Sequence, residues 1–319
     1  MKKISILLFS FFISVGLLAG HHESDQVNLK KEQKAVLDAF EWDFGKAEII
    51  TKRVTDNIHV LFGLGGNILV STGEDGVLLV DDQFPELKNK ILRSIRKLGG
   101  RKVDYIINTH WHFDHAEGNL AFGPTGSIIV AHENSYQMMK KPMPINLVGI
   151  VYPQQPYPSS ALPEITYKEE MNINLNGDRI ELYHFGSAHT TGDTAVYLRD
   201  SNVIHLGDVF NIDGFPFIDA DNGGSIEGMI AFCERVLEVI NEDTVVVPGH
   251  GPIANTQTFK DYIKMLKTVS SRISDLIDQG RTLEEIIAAR PAREWEEEKG
   301  GSGLGALVLI DRAYASLKK

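Results

Sequence analysis

Six consecutive residues, His110-Trp111-His112-Phe113-Asp114-His115, constrain the fold of this chain more than any other part of its sequence. In an extended segment, side chains two residues apart point the same way, so His110 and His112 can bind one metal ion together. The chain must then turn, which lets Asp114 and His115 face a second ion. A polar loop that happens to hold three histidines is the alternative, but buried imidazoles and carboxylates are costly without partners. The run therefore predicts a metal site.

The types of ligand indicate which metal to expect. Imidazole nitrogen combined with carboxylate oxygen suits a borderline cation, most often Zn²⁺, better than Ca²⁺ or Mg²⁺. Further candidates follow three strand-like apolar runs, beside glycines that let the backbone turn tightly; they are His189, Asp208 and His250. Each is a weak signal alone, since a single His after a strand is more often an ordinary surface residue. Their order behind the first motif makes the whole set specific.

With these residues identified, the chain resembles the metallo-β-lactamase-fold hydrolase superfamily over roughly Val54 to Pro252. The resemblance rests on the His-x-His-x-Asp-His motif and the three later residues. It implies an α/β (α+β) fold, a four-layer αβ/βα sandwich with two zinc ions per chain at one end of two facing sheets. By this resemblance one zinc would be bound by His110, His112 and His189, the other by Asp114, His115 and His250, and Asp208 would bridge them.

The segment Val77 to Asp82 resembles the first motif of the same superfamily, in which an aspartate at the end of a strand supports a ligand. Asp81 is therefore a candidate for orienting a histidine through its other ring nitrogen. An equally acceptable interpretation is that Asp81 only caps a turn.

Within the superfamily, Asp208 and His115 narrow the choice of subgroup. Class B β-lactamases usually carry Cys or Ser at the position equivalent to Asp208, whereas glyoxalase-II-like, lactonase and ribonuclease-Z-like members carry a bridging Asp. His115 is similar both to the B3 lactamases and to the Asp-bridged hydrolases. Members with a redox di-iron centre usually have Glu in place of His112, which disfavours that branch.

The resemblance implies a metal-dependent zinc hydrolase. A hydroxide held between the two metal ions would attack the carbonyl carbon of an ester, lactone, thioester or lactam, with Asp114 as the catalytic residue that holds its proton. Resemblance at the level of the fold does not choose among these bonds. A B3-like β-lactamase and a metal-binding protein without turnover remain alternatives, although the full ligand set disfavours the second.

Charge bears on the partners of the protein. The formal net charge is −11 and the pI is near 5.5. Such acidity opposes a broad nucleic-acid-binding face and weakens the ribonuclease branch. The expected partner is a small-molecule acyl, lactone or lactam substrate, and no nucleic acid.

The beginning of the chain has the pattern of a secretory signal peptide. Lys2 and Lys3 precede an almost wholly apolar run from Ile4 to Ala19, which is short for a membrane span. Cleavage near Ala19 or Gly20 is expected, with a periplasmic or secreted location and no stable membrane anchor. An uncleaved anchor is the alternative.

The length of 319 residues, 43% of them hydrophobic, allows a large core. We predict a signal peptide at 1–20, an N-terminal extension at 21–50, the metallo-β-lactamase-fold domain at 51–270 and a C-terminal helical extension at 271–319. Sequence patterns predict strands at Asn57–Phe62, Asn67–Ser71, Val77–Val80 and Val103–Ile107. They predict helices at Glu86–Leu98, Thr256–Asp278, after Thr282 and at Leu304–Leu317, with a flexible link at 300–303.

Two irregular stretches are expected to form apolar walls over the metals. Lys141 to Glu164 holds six prolines, too many for a helix or a central strand, and Ile212 to Gly224 contains Phe215-Pro216-Phe217. Plain surface loops are the alternative. The remaining strand-associated histidines are expected to be structural, although His184 could orient a ligand; they are His59, His132, His184 and His205. Cys233, the only cysteine, is expected to be a small buried hydrophobe without a disulfide.

Overall fold

The structure is a computed structural model that describes residues 29–299 and 304–318. The predicted signal peptide and the predicted flexible link at 300–303 lie outside the described residues. In the two described ranges, no helix is both long enough and apolar enough to cross a lipid bilayer.

The described part of the chain forms fifteen strands and ten helices longer than a 3₁₀ turn. The strands are β1 (Ile50–Arg53), β2 (Ile58–Phe62), β3 (Ile68–Gly73), β4 (Gly76–Val80), β5 (Tyr105–Ile107), β6 (Ile128–His132), β7 (Met143–Asn146), β8 (Val151–Gln154), β9 (Ile165–Tyr167), β10 (Glu170–Leu175), β11 (Asp178–Tyr183), β12 (Ala195–Leu198), β13 (Val203–His205), β14 (Val245–Val247) and β15 (Ala254–Asn255). The helices are α1 (29–39), α2 (Lys88–Lys97), α3 (Phe113–Ala116), α4 (Asn119–Phe122), α5 (Glu133–Met139), α6 (Ile226–Val239), α7 (Thr256–Asp278), α8 (Leu283–Ala289), α9 (Glu296–Lys299) and α10 (Ala306–Leu317).

Two mixed sheets form the centre of the molecule. The first has seven strands in the order β1-β2-β3-β4-β5-β6-β9, antiparallel up to β4 and parallel from there. The second has six strands in the order β10 to β15, antiparallel except for the parallel pair β13 and β14. Parallel pairs need long crossover connections, and these connections carry the helices and loops that build the site.

Strand side chains alternate between two buried layers, which explains why β4 reads as a continuous apolar run. Leu78 packs with Ile180 and Val196 of the second sheet, whereas its neighbour Leu79 faces outward and packs with Ile91 of α2. The outer face of the second sheet packs in the same way against α6 and α7. Helices thus cover both outer faces, and the predicted four-layer αβ/βα sandwich is confirmed.

Three predicted elements differ in detail from the structure. The helix predicted from Glu86 begins as a 3₁₀ turn at Pro85–Leu87, and α2 follows it. The proline-rich stretch contains the hairpin β7–β8, in which Pro144 lies opposite Pro153. This hairpin is a separate two-stranded sheet, where a missing N–H is tolerated. Leu304 precedes α10 and bridges to Gly214 instead of starting the helix.

The described parts of both predicted extensions pack onto the sandwich. Val36 of α1 is fully buried in the core layer beneath the first sheet, and Leu309 of α10 is fully buried beneath the second. α8 begins with the predicted capping box, in which Thr282 and Glu285 each hydrogen bond to the backbone N–H of the other.

Candidate metal centre

All seven predicted ligands lie at one end of the two sheets, each shortly after a strand. His110 and His112 follow β5, and Asp114 and His115 lie in α3, the single turn of helix that begins directly after His112. This turn is the one that the sequence motif predicts. The other three residues follow strands of the second sheet: His189 after β11, Asp208 after β13 and His250 after β14. The edge where the two sheets meet therefore collects all seven side chains.

Three buried imidazoles form the first group. His189 Nε2 lies 2.9 Å from His112 Nδ1, and the ring of His110 stands edge-on to that of His189, with centroids 4.6 Å apart. Nε2 of His110 is buried and has no hydrogen-bond partner among the residues that the structure describes. One donor atom from each of the three residues falls within 4.8 Å of the others. An unpartnered nitrogen aimed at two more nitrogens fits a bound cation.

A second group combines carboxylates with imidazoles. His250 Nε2 lies 3.2 Å from Asp114 Oδ2 and 3.2 Å from His115 Nε2. Their donor atoms again lie within 4.8 Å of one another. The nitrogen and oxygen donors of this group suit zinc better than a hard cation such as Mg²⁺.

Asp208 lies between the two groups. One of its oxygens is 3.0 Å from His115 Nε2 and 3.4 Å from His250 Nε2, and the other is 3.9 Å from His189 Nε2. Asp208 also forms a third possible cluster with His110 and His115. The structure thus brings all seven residues together in the arrangement that the superfamily resemblance implies, and their binding of metal stays a prediction.

In four of the five candidate histidine ligands, one ring nitrogen contacts a residue outside the ligand set, which leaves the other nitrogen facing the cluster. The contact of His112 is with Asp219 and is described below. His115 Nδ1 lies 2.7 Å from Asp81 Oδ2, and His110 Nδ1 lies 3.0 Å from Thr109 Oγ1. His189 Nδ1 is 2.8 Å from the carbonyl oxygen of Phe217, which can only accept a hydrogen bond. Such contacts fix the tautomer and the ring orientation of metal ligands.

Asp81 supports two of these rings from a fully buried position at the end of β4. It accepts hydrogen bonds from the backbone N–H and the hydroxyl of Thr109, at 2.7 and 2.8 Å. It therefore contacts His115 directly and reaches His110 through Thr109. Of the two sequence interpretations of Asp81, orientation of a histidine is the one that these contacts support.

Asp219 is a site residue that sequence reasoning missed. It is 1% exposed, and its Oδ2 lies 3.0 Å from His112 Nε2. Asn222 Nδ2 donates to both of its oxygens, at 3.0 and 2.8 Å. The only signal in the sequence was its place in the loop Ile212 to Gly224, which was expected to form a wall of the site.

The pKa shifts of the ligands differ between the two groups. Burial, followed by the neighbouring imidazoles, lowers the pKa of His110 well below its ordinary value, so this ring is neutral at neutral pH. Burial also lowers the pKa of His250, but Asp208 and Asp114 outweigh it and raise that pKa to about 10. Burial acts to raise the pKa of Asp208, yet the charges of His250 and His115 lower it well below its usual range. The carboxylate end of the site therefore attracts positive charge.

A pocket of about 190 Å³ opens onto the cluster. Its apolar walls come from five parts of the chain: Phe40, Trp42, Phe113, Ile145, Leu147, Phe217 and Leu304. The two predicted loops do contribute, through Ile145, Leu147 and Phe217. Phe215 instead lies fully buried in the core. The contributions of Phe40, Trp42 and Leu304 were not predicted, because no sequence pattern brings these residues to the metal motif.

The other histidines of the described residues and the cysteine do not belong to the ligand cluster. His205 Nε2 is 3.0 Å from the carbonyl of Asn67, and its Nδ1 accepts from Gly207 N. His184 contacts the carbonyl of Asp193 at 2.8 Å and is not bonded to His189 itself. Cys233 is fully buried, as the sequence predicted.

Comparison with known protein families gives one family match that covers most of the chain. Residues 61–265 match the model described as the metallo-beta-lactamase superfamily. The match begins within β2 and ends within α7, so it includes every predicted ligand and all of both sheets except β1 and the first residues of β2. The residues at the two ends of the chain, including Phe40, Trp42 and Leu304, lie outside it.

Three curated proteins are similar to this chain at low identity. The alpha subunit of 2,4-dinitroanisole O-demethylase from Nocardioides sp. is 25% identical over 173 residues, covering 53% of this chain and 48% of that protein. Metallo-beta-lactamase type 2 from Bacteroides fragilis is 21% identical, covering 60% of this chain and 70% of that protein. A probable metallo-hydrolase from Methanocaldococcus jannaschii is 23% identical, covering 64% and 96%. The chain spans about half the length of the first of these relatives.

Solved structures share the fold. A metallo-beta-lactamase from Pontibacter korlensis superposes with a TM-score of 0.57 at 18% identity, covering 69% of this chain and 99% of that one. The DIM-1 metallo-beta-lactamase superposes with a TM-score of 0.58 at 19% identity, covering 70% and 99%. At this identity the likeness shows a common fold and leaves the substrate open.

Proposed function

Because the chain belongs to the metallo-beta-lactamase superfamily, whose members are mostly hydrolases that bind metal ions, we propose that it is an exported dinuclear zinc hydrolase. Its substrate would be a small molecule with an ester, lactone, thioester or lactam bond. The observation that carries the proposal is the position of Asp208, which lies within 3.4 Å of two imidazole nitrogens in one ligand group and within 3.9 Å of a nitrogen in the other.

The donor set supports two metal ions rather than one. His110, His112 and His189 would hold the first, and Asp114, His115 and His250 the second, with Asp208 shared. Zinc is the metal that imidazole and carboxylate donors favour. When bound, the ions would act as Lewis acids on the scissile carbonyl and would lower the pKa of a water molecule toward neutrality.

Asp114 is the residue that we propose to handle the proton. Burial acts to raise its pKa, but His115 and His250 lower it below the ordinary value, so the group is a carboxylate at neutral pH. It lines the substrate pocket and lies 3.2 Å from His250 Nε2. A carboxylate fixed in this way can accept and orient a proton beside the scissile bond.

The proposal of export rests on the sequence pattern of Lys2, Lys3 and the apolar run Ile4 to Ala19. Expression in a Gram-negative host, followed by cell fractionation and mass measurement of the intact protein, tests it. We expect a periplasmic product whose first residue is near Gly20 or His21. Cytosolic protein that retains Met1 would contradict export and would leave the proposed hydrolytic activity untouched.

A hydrolysis panel on zinc-loaded protein tests the activity. The panel comprises aryl esters, acyl-lactones, thioesters, β-lactams and phosphodiesters, and the name of the first relative adds 2,4-dinitroanisole. We expect turnover of at least one carbonyl substrate, loss of that turnover after chelation, and a decrease of at least about 100-fold in Asp114→Asn. Activity on phosphodiesters alone, or activity that survives both chelation and Asp114→Asn, would overturn the proposal. Turnover of β-lactams above all other substrates would instead assign the lactamase alternative.

A further inference from the structure

We propose that the pocket over the metal centre selects uncharged substrates with an aromatic acyl group, and that Phe40 and Trp42 determine this specificity. The inference rests on the proposed hydrolytic function. It adds a substrate class and two specificity residues, which lie outside the region that matches the family.

The aromatic wall is continuous with the metal motif. The rings of Phe40 and Trp42 are stacked, with centroids 4.7 Å apart and an angle of 22° between their planes. Trp42 also contacts Phe113, at 6.3 Å between centroids, and Phe113 directly precedes Asp114. Phe40 and Trp42 are only half-buried, and both line the pocket. A flat acyl group bound at the metals would therefore meet aromatic surface.

Several contacts fix this wall in place. Trp42 and Phe44 both pack on Phe84, with centroids 5.5 and 4.9 Å apart. Lys90 Nζ of α2 donates to the carbonyl oxygens of Phe44, Gly45 and Ala47, at 2.7, 2.9 and 2.7 Å. Because the segment is already ordered by these bonds, a substrate does not have to order it on binding, which favours affinity for ligands that fit.

Aliphatic side chains also line the pocket. Leu304 lies at the pocket, and its carbonyl oxygen accepts a hydrogen bond of 2.7 Å from Phe215 N. Ile145 and Leu147, from the hairpin β7–β8 and its turn, line the pocket beside it. The substrate group would thus meet both aromatic rings and aliphatic side chains, the usual character of a small-molecule pocket.

Outside the metal cluster, the charge of the pocket walls disfavours anionic substrates. Among the described residues that line the pocket, none is Lys or Arg, and Asp213 adds a carboxylate beyond the metal cluster. Lys299, whose charge interacts with Asp213, lines a separate pocket. A carboxylate on the substrate would lose part of its hydration on binding. It would find no Lys or Arg partner on these walls and would face Asp213. An uncharged acyl group avoids all three costs.

Four p-nitrophenyl esters test the inference on the zinc-loaded protein. Acetate and phenylacetate differ by the aromatic ring, whereas 4-acetylphenylacetate and 4-carboxyphenylacetate differ by charge at similar size. We expect kcat/KM to be at least about tenfold higher for the phenylacetate than for the acetate, and at least about tenfold higher for the neutral member of the second pair.

Three variants identify the residues responsible. Trp42→Ala should raise KM for the phenylacetate at least about fivefold and change the acetate less than twofold. Asp213→Lys should reduce the preference for the neutral ester to below about threefold, because the anion then finds a partner. Trp295→Ala is the matched control, since Trp295 is a half-buried tryptophan that lines a separate pocket, and it should preserve both preferences. If Trp42→Ala does not fold by circular dichroism, Phe40→Ala replaces it.

Binding without turnover separates failure of this inference from failure of the proposed function. Saturation-transfer NMR with phenylacetamide, which carries no labile ester, should detect aryl contact in the wild type and lose it in Trp42→Ala. If the protein hydrolyses none of the carbonyl substrates of the panel but still binds phenylacetamide through Trp42, the proposed function is wrong and the aryl pocket stands. Equal kcat/KM for the neutral and anionic esters, or an aryl preference that survives both Trp42→Ala and Phe40→Ala, would overturn the inference.

Discussion

Asp219 and His112 form a buried pair, with 3.0 Å between Asp219 Oδ2 and His112 Nε2. An ionised carboxylate can only accept a hydrogen bond, so the proton of the neutral imidazole lies on Nε2. Burial acts to raise the pKa of Asp219, but its hydrogen bonds with His112 and then Asn222 act against burial, and the pKa is lowered. Nδ1 of His112 is left to face His189 Nε2 at 2.9 Å. The pair therefore determines which nitrogen of His112 is offered to a metal ion.

Loss of this pair should weaken one metal site. We expect Asp219→Ala to lower zinc affinity at the His110, His112 and His189 group by about 10- to 100-fold, because the ring can then rotate and change tautomer. Asp219→Asn should lose less, since its amide oxygen can still accept from Nε2. Competition with a chromophoric chelator measures both affinities.

Asp221 provides the control from the same loop. It accepts a hydrogen bond of 2.8 Å from Arg312 and one of 3.0 Å from Asn146, and within the described residues it forms no hydrogen bond or ion pair with a histidine. Asp221→Asn should therefore leave zinc affinity within about twofold of the wild type. Equal weakening by Asp221→Asn and Asp219→Ala would mean that loop integrity, and not orientation of His112, controls binding.

Replacement of Asp208 tests the arrangement of the two groups. Because Asp208 contacts histidines of both groups, we expect Asp208→Ala to reduce bound zinc from about two ions per chain to less than one after dialysis. His110→Ala should remove only about one ion, since the second group keeps Asp114, His115 and His250. Elemental analysis of the dialysed proteins gives the numbers. Two retained ions in Asp208→Ala would contradict the bridging role.

Most residues of the metal cluster could be predicted from the sequence, because each lies in a recognisable local pattern. The short spacing of the motif after β5 and the helical turn that follows it put His110, His112, Asp114 and His115 at one place. Apolar runs ending in glycine marked the three later ligands. The four-layer sandwich followed from the superfamily resemblance, and the buried strand β4, apolar on both faces, agrees with it.

The residue that orients His112 and the aromatic residues that line the pocket could not be predicted from local sequence patterns. Asp219 lies 107 residues from His112, and Phe40 and Trp42 lie about 70 residues from the motif they flank. These contacts depend on how loops and termini pack on the finished sandwich. No periodicity in the sequence encodes such packing, because each residue looks locally like an ordinary loop aspartate or surface aromatic residue.

Lys90 holds the N-terminal segment that carries the aromatic wall. We expect Lys90→Met to free residues 43–49, because three carbonyl oxygens lose their donor, at a cost of about 1–2 kcal/mol in local stability. Hydrogen exchange followed by mass spectrometry should show faster exchange in this segment and unchanged exchange in the two sheets. Lys97→Met, at an exposed position of the same helix, removes the same charge and should leave exchange unaltered.

His132 is a neutral imidazole by geometry. Its Nδ1 accepts from the backbone N–H of Asn134 at the start of α5, and its Nε2 lies 2.7 Å from the carbonyl of Lys168. Its ring also stacks on His184, with centroids 3.7 Å apart. A proton on Nδ1 would face the N–H that this atom now accepts. Burial and then His184 lower the pKa of His132 to about 4.

Stability should therefore decrease on the acid side through this residue. Unfolded His132 has a pKa near about 6.5, so between roughly pH 6.5 and pH 4 the unfolded chain binds a proton that the folded chain does not. Stability is complete above that window and is lost as the pH falls through it. For chelator-treated protein, we expect urea unfolding to show that about 2 kcal/mol of the decrease between pH 7.5 and pH 5 disappears in His132→Asn. Asn keeps an acceptor for Asn134 N but cannot titrate, so the cap is retained. An identical pH dependence in wild type and variant would assign the acid sensitivity to other groups.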